Sequence, residues 1–258
     1  MAAIYRSITA AFVLCAVALA TGCATHLATI SPDYAREQRW AEEIVPGLVV
    51  GDAVQIEGAS KRRFLGILAK SSKNRGAIIL MHGSGVHPDF AIVGQLRSLL
   101  NDAGFTTLSI QMPVLAADAA ADDYPAVFAE ASERIAAAIE YLRSKKQTRI
   151  AVVSHSMGAR MVLDYLKRSP AAALRAWVPL AIADGDLSGL PRVAFPVFDV
   201  YAEKDFAVVL AKRNDRAVAI RAVPGSKQVM VFGADHFFAG KENEVAMLLA
   251  DLLTPTMK

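Results

Sequence analysis

The stretch RIAVVSHSMGAR, residues 149–160, decides the fold that we expect for this chain. Its first half, up to Ser154, is a run of apolar and small residues typical of a strand buried on both faces of a parallel sheet. Its second half begins a helix with apolar residues at helical spacing. A sharp strand-to-helix turn needs small residues on both sides, and Ser154 and Gly158 satisfy that need. We therefore predict a strand–turn–helix unit with Ser156 at the turn.

Similar apolar runs alternate with helix-period segments along the rest of the chain. Strands are predicted at residues 48–56, 63–70, 77–82, 105–111, 149–154, 176–182, 196–202 and 227–232. Helices are predicted at residues 91–103, 124–143, 157–167, 208–217 and 242–253. Because strands alternate with helices, the predicted fold class is α/β, with a mostly parallel central sheet of about eight strands flanked by helices. The first two strands have no helix between them, which predicts an antiparallel start.

Composition excludes several classes of protein. Of the 258 residues, 54% are hydrophobic, which is too many for intrinsic disorder. The formal net charge of +3 is too small to predict a nucleic-acid partner. Two cysteines are too few for a disulfide-stapled scaffold or a cysteine-rich metal cluster. The sequence leaves the oligomeric state open.

Residues 1–22 are predicted to be a signal peptide. The apolar run at 11–20 is shorter than the roughly 20 residues that a membrane-spanning helix needs. It ends in LATGC at 19–23, which resembles the bacterial lipobox and implies cleavage before Cys23 and acylation of that cysteine. Because Ala24 follows where aspartate commonly signals inner-membrane retention, we expect the periplasmic face of the outer membrane. An ordinary cleavable signal ending in Ala18-Leu19-Ala20 stays open as an alternative.

The rest of the chain is divided into two parts. Residues 23–45 are predicted to be a tether with about one helical turn in 34–44, and 46–258 to be a single domain. No linker long enough to separate two domains follows.

Two side chains in the carboxyl-terminal half complete a candidate site around Ser156. Asp205 follows the strand predicted at 196–202, and His236 lies after the last strand. A serine nucleophile needs a base to take its proton and an acid to orient that base, in the chain order Ser, Asp or Glu, His. We therefore predict Ser156, Asp205 and His236 as a catalytic triad. The structural alternatives are a helix cap for Ser154 or Ser156 and a solvated turn residue for Asp205.

Other residues could in principle replace the acid of this triad. Glu203 is the nearest rival of Asp205, and Asp184 and Asp186 are more distant ones, whereas Asp199 would lie inside the strand. Among the five histidines, only His236 has the right order and position.

These residues resemble the α/β-hydrolase superfamily over about residues 48–253, with Ser154 in place of the first glycine of its G-x-S-x-G motif. The block LMHGSGVHPDF at 80–90 and the block QMPVL at 111–115 are similar to an uncharacterised bacterial family within that superfamily. The resemblance implies the α/β-hydrolase fold and no metal or other cofactor. It also implies that the N–H groups of Ser84 and Met157 bind the oxyanion of the reaction. The residues expected to support the loop and the turn are His82, Gly83, Gly85 and Gly158. The alternative for HGSG is a glycine-rich turn that any βα unit needs.

The short distance along the chain from Ser156 to Asp205 leaves no room for a large lid, so we expect at most a small cap at 184–191. An open site then favours short-chain or small polar acyl substrates.

The function implied is a carboxylesterase-like serine hydrolase that acts on an ester-type bond of a small substrate at the cell envelope. Two alternatives stay open. One is a catalytically silent lipoprotein that binds an envelope ligand or partner, and the other is an acyltransferase or peptidase with the same triad.

Overall fold

The computed structural model describes residues 30–169 and 174–258. Its strands are β1 (Asp52–Glu57), β2 (Arg63–Ala69), β3 (Ala77–Met81), β4 (Thr106–Ile110), β5 (Ile150–His155), β6 (Ala176–Leu180), β7 (Phe198–Lys204) and β8 (Lys227–Asp235). Its helices are α1 (Tyr34–Ile44), α2 (Ala91–Asp102), α3 (Phe128–Ser144), α4 (Met157–Arg168), α5 (Ala207–Ala211), α6 (Arg213–Arg221) and α7 (Glu242–Leu253). The predicted signal at 1–22 and Cys23 lie outside the described residues.

All eight strands form one sheet in the order β1-β2-β4-β3-β5-β6-β7-β8. β2 pairs antiparallel with both β1 and β4, and the remaining pairs are parallel. The predicted fold class is therefore confirmed, including the antiparallel start. Strands β3 to β6 are buried along their whole length, which explains why β3, β5 and β6 are largely apolar in sequence. The buried β4 differs, because three of its five residues are Thr106, Thr107 and Ser109.

Two layers of helices cover the sheet. Helices α3 and α4 pack together over Ile79 and Val152 on one face, and helices α2 and α7 pack over Ile78 and Val153 on the other. Neighbouring strand residues thus point to different cores, because side chains alternate along a strand. Each fully buried aliphatic side chain of this kind contributes about 1.5–3 kcal/mol by leaving water.

Two predicted helices are divided in the structure. The helix predicted at 124–143 begins as a 3₁₀ segment at Ala121–Val127, which includes Pro125, and continues as α3. The helix predicted at 208–217 is split into α5 and α6. The break falls at Lys212, and across it the buried Arg216 guanidinium donates to the Val209 carbonyl at 2.6 Å.

The segments outside the sheet also differ in part from expectation. Residues 181–196, all of them described, contain neither helix nor strand, so no large lid lies between β6 and β7. Residues 34–44, where the sequence predicts about one turn, form the 11-residue helix α1, whose amino end is capped by the Asp33 carboxylate. Across the described ranges, no helix has the length and apolar character that crossing a membrane requires.

Candidate active site

Ser156 lies at the turn between β5 and α4 with φ 54° and ψ −119°. Positive φ is unfavourable for a residue with a side chain, so surrounding contacts must hold this backbone. The Ser156 N–H donates to the Leu180 carbonyl at 3.0 Å, and its carbonyl accepts from the N–H groups of Ala159 and Ala183. The strained turn is the geometry typical of a nucleophile elbow.

The small residues on either side of Ser156 have a packing reason. A Cβ atom on Gly158 would lie 2.4 Å from the His82 carbonyl oxygen, which is too close for any side chain. Ser154 is fully buried, and its Oγ accepts a hydrogen bond from the Trp177 indole N–H at 2.8 Å. Serine therefore replaces the usual glycine here at little cost in volume and satisfies a buried donor.

The structure brings the three predicted triad residues into one hydrogen-bonded line. The Nε2 atom of His236 lies 3.0 Å from Ser156 Oγ, and its Nδ1 atom lies 2.6 Å from Asp205 Oδ1. All three residues are buried. With Nδ1–H donating to the carboxylate, Nε2 is left to accept the proton of the serine hydroxyl. Two backbone N–H groups, of Ala202 and Phe206, donate to the Asp205 carboxylate and fix its orientation.

The rival carboxylates bind elsewhere. Their partners are the Gly233 N–H for Glu203, Arg216 for Asp199, Arg160 for Asp184, and the Ser188 N–H for Asp186. Burial raises the pKa of Asp199, which shares a fully buried ion pair with Arg216. Among the carboxylates of the described residues, Asp205 alone is hydrogen-bonded to His236.

His82 holds the HGSG turn in place. Its Nδ1 atom lies 2.8 Å from the Gly83 carbonyl oxygen, and its Nε2 atom accepts the Met112 N–H at 2.9 Å. Burial lowers the pKa of His82 to about 3, so the ring is neutral at ordinary pH. The ring therefore links the turn to the segment that follows β4.

His155 is a site residue to which the sequence assigns no role. Its Nε2 atom lies 2.9 Å from the His236 carbonyl oxygen, and burial lowers its pKa to about 4. A neutral ring with a proton on Nε2 can donate to that carbonyl. Because His155 directly precedes Ser156, this contact ties the loop that carries His236 to the turn at Ser156.

Two more residues fix the HGSG turn through Gly85. The Tyr124 hydroxyl accepts the Gly85 N–H at 2.8 Å, and Arg36 on α1 donates to the Gly85 carbonyl at 3.1 Å. The same Arg36 guanidinium donates to the Leu115 carbonyl at 3.0 Å. Helix α1, which the sequence assigns to the tether, therefore reaches the active-site turn. These contacts join residues far apart in the chain, so no local pattern could have indicated them.

The predicted oxyanion donors flank Ser156. A Cβ atom on Gly83 would lie 3.1 Å from Ser156 Cβ, so the turn that carries Ser84 packs directly against the serine. Met157 begins α4, where N–H groups have no acceptor within the helix. Within 30–169 and 174–258, the N–H groups of Ser84 and Met157 donate to no other residue.

Ser156 opens into a cavity of about 270 Å³. Phe206 stacks on the ring of His236 with centroids 4.0 Å apart, and Phe237 meets the same ring edge-on at 5.2 Å. Both phenylalanines line the cavity, with His82, Gly83, Ser84, Val86, Phe90, Ala91, Ile92, Val93, His155, Ser156 and His236. Phe206 has no role predicted from the sequence, although its position directly after Asp205 places it beside the predicted triad.

The fold and this site define a protein of the α/β-hydrolase fold class. The chain is similar to an α/β serine hydrolase homologue from Coxiella burnetii (18% identity, 80% of this chain and 99% of the other, TM-score 0.64). It is also similar to an α/β serine hydrolase without lid from Xanthomonas campestris (15%, 81% and 95%, TM-score 0.64). Est1E from Butyrivibrio proteoclasticus is a third such structure (18%, 80% and 99%, TM-score 0.61). At these identities the likeness shows the fold.

Comparison by sequence matches a smaller part of the chain than comparison by structure. Residues 8–131 match the model of a family described as a protein of unknown function, DUF3530. The matched range contains the HGSG turn and ends before Ser156. No curated protein sequence matches the chain.

Proposed function

We propose that this protein is a serine hydrolase that cleaves an ester-type bond of a small acyl substrate. The observation that carries the proposal is the hydrogen-bonded line from Asp205 through His236 to Ser156, which ends in a cavity. The strained backbone of Ser156 and the likeness of the fold to serine hydrolases support it.

The reaction begins at Ser156. Its Oγ attacks the ester carbonyl carbon while His236 Nε2 takes the hydroxyl proton, and the C=O π electrons move to the carbonyl oxygen. Asp205 holds the resulting imidazolium through Nδ1–H and stabilises its charge. The N–H groups of Ser84 and Met157 donate to the oxyanion. Their backbones are held by the turn and by α4, so little reorganisation is needed when the charge forms.

The intermediate then collapses to an acyl-enzyme. The bond from the carbonyl carbon to the alcohol oxygen breaks, and the alcohol leaves with the proton from His236. A water molecule then attacks the acyl carbonyl carbon while His236 Nε2 takes its proton. The bond from that carbon to Ser156 Oγ breaks, Oγ regains the proton from His236, and the carboxylic acid is released. An acyltransferase would use another acceptor in place of this water.

The nucleophile is tested by Ser156→Ala. We expect turnover of a short-chain ester to fall by a factor on the order of 10³ or more, because the variant lacks the attacking oxygen. Labelling by a fluorophosphonate probe should also disappear. Ser72→Ala, at an exposed serine, should change neither result.

The outcome that contradicts the proposal is a wild-type protein that neither hydrolyses esters nor takes up the probe. That result would favour the catalytically silent binding protein. If the probe labelled purified Ser156→Ala as strongly as the wild type, Ser156 would be excluded as the nucleophile.

We also propose that the enzyme is anchored by acyl chains on Cys23, at the periplasmic face of the outer membrane. The support is the LATGC sequence at 19–23, and two or more acyl chains suffice for stable attachment. Metabolic labelling with a palmitate analogue should mark the wild type and Cys15→Ser but leave Cys23→Ser unlabelled. Equal labelling of both cysteine variants would contradict the anchor.

A further inference from the structure

The cavity at Ser156 has a mostly apolar lining, to which the site residues add the hydroxyls of Ser84 and Ser156 and three histidine rings. One part of the lining comes from the segment after β3, namely Val86, Phe90, Ile92 and Val93. Another part consists of Phe206 and Phe237, which follow β7 and β8. Among the described residues, no carboxylate, ammonium or guanidinium group lines the cavity.

This lining selects against charged substrate groups. A charge that leaves water needs a partner of opposite sign, or its burial costs a large free energy. His82 and His155 supply no positive charge, since burial lowers the pKa of both rings far below neutral pH. The group that enters the cavity must therefore be uncharged.

The size of the cavity sets a second limit. Its volume of about 270 Å³ is just below the range of about 300–1,000 Å³ found for typical ligand sites. Ile92 and Val93, at the start of α2, are almost completely buried and form a fixed part of the wall. A long acyl chain would extend past the opening into water, so its outer methylenes would gain nothing from burial.

Aromatic side chains are concentrated in the cavity wall. Phe90, Phe206 and Phe237 remain 41%, 51% and 46% exposed although each is a large apolar residue. Exposed apolar surface gathered at one place is typical of a binding site. Aromatic rings gain additional stabilisation when they pack edge-on or offset against other rings. A planar aromatic group in the cavity could make such contacts with Phe237 and Phe90.

We propose that the preferred acyl group is uncharged, compact and aromatic, about the size of a benzoyl group. This proposal rests on the proposed serine hydrolase and names its substrate class. The acyl carbonyl lies at Ser156, and the ring occupies the cavity between the residues after β3 and the two phenylalanines.

The first test compares ethyl esters, so that the alcohol part is small and constant. The acyl groups are acetyl, butyryl, octanoyl, cyclohexanecarbonyl, benzoyl and the anionic succinyl half-ester. For the wild type, kcat/KM for each ester is divided by its rate of hydroxide-catalysed hydrolysis. We expect this normalised kcat/KM to be about fivefold higher for the benzoyl ester than for the cyclohexanecarbonyl ester. It should be at least 100-fold higher for the benzoyl ester than for the succinyl half-ester. Octanoyl should exceed butyryl by far less than the roughly fourfold per methylene expected for full burial.

The second test changes the cavity wall. Phe237→Leu keeps an apolar side chain but removes the ring, so the ratio of benzoyl to cyclohexanecarbonyl should fall about fivefold. Phe232→Leu is the matched control, because Phe232 is 69% exposed on β8 and does not line the cavity. That variant should keep the wild-type ratio.

The two proposals fail in different ways. If acetyl and butyryl esters are hydrolysed with dependence on Ser156, but benzoyl has no advantage over cyclohexanecarbonyl or the succinyl half-ester, the substrate class is wrong and the hydrolase stands. An unchanged ratio in Phe237→Leu likewise overturns the substrate class. If no ester is hydrolysed and the fluorophosphonate probe does not react, both proposals fall.

Discussion

At the residue scale, the acid of the site depends on where two neighbouring carboxylates point. Glu203 and Asp205 are two positions apart, so the sequence leaves both open. In the structure Glu203 accepts the Gly233 N–H at 2.9 Å, while Asp205 lies 2.6 Å from the Nδ1 atom of His236. The difference arises because Asp205 follows the end of β7, where the chain turns toward the loop of His236.

This separation predicts unequal effects of two isosteric substitutions. Asp205→Asn should lower kcat on the order of 10³- to 10⁴-fold, because an amide neither stabilises the imidazolium nor keeps the same histidine tautomer. Glu203→Gln should stay within about threefold of the wild type, since it only weakens a bond to Gly233. Steady-state kinetics with one short-chain ester measures both. A larger loss in Glu203→Gln than in Asp205→Asn would refute the assignment.

At the element scale, helix α1 packs against the rest of the α/β fold. Glu37 on this helix pairs with the buried Arg134 of α3 at 2.9 Å, and burial raises the pKa of Glu37. Arg36, one residue earlier, bonds the carbonyls of Gly85 and Leu115 and lies over the Trp40 ring. A helix this polar cannot be assigned to the domain from its own sequence, because its contacts are made with distant segments.

Loss of the Arg36 contacts should loosen the HGSG turn. Arg36→Met should lower kcat about tenfold with little change in KM, because the turn carries Ser84, whose N–H is proposed to bind the oxyanion and would act most strongly in the transition state. Arg36→Lys should recover part of the loss, since an ammonium group can still donate to one of the two carbonyls.

Arg39→Met is the control for this prediction, because Arg39 is exposed on the same helix. It should leave both kinetic constants and the melting temperature unchanged. If Arg36→Met lowered the melting temperature but not kcat, helix α1 would stabilise the domain without positioning the turn.

At the scale of the whole molecule, buried polar groups connect elements that the sheet alone would leave independent. Arg97 pairs with Asp89, Arg134 with Glu37, and Arg216 with Asp199. His82 and His155 add neutral hydrogen-bonding rings between loops. Breaking such a buried pair by removing one partner typically costs about 3–5 kcal/mol.

The buried histidines predict how stability depends on pH. Burial lowers the pKa of His82 to about 3 and that of His155 to about 4, from 6.5. Below pH 6.5 the unfolded chain binds protons at these rings while the folded protein does not. The stabilisation is therefore complete above pH 6.5 and decreases as the pH falls toward 4, by at most about 1.4 kcal/mol per pH unit for each ring.

Substitution of one ring should change that slope. Urea unfolding of the wild type and His82→Gln between pH 7.5 and 5 should give a shallower decline in the free energy of unfolding for the variant. Below pH 6, the number of protons taken up on unfolding should be larger for the wild type than for the variant by nearly one. Parallel curves for the two proteins would show that His82 does not titrate on unfolding.

The sequence by itself determined the fold class, the eight strands and the residues that form the hydrogen-bonded line at Ser156. It could do so because buried strands and a strand–turn–helix unit have local patterns, and because the order Ser, Asp, His follows the order of the strand ends. Tertiary structure decided that Asp205 rather than Glu203 meets His236 and that α1 packs against the HGSG turn. It also decided that phenylalanines from separate loops line one cavity. These contacts join residues far apart in the chain, so they exist only once the sheet has brought the loops at its carboxyl edge together.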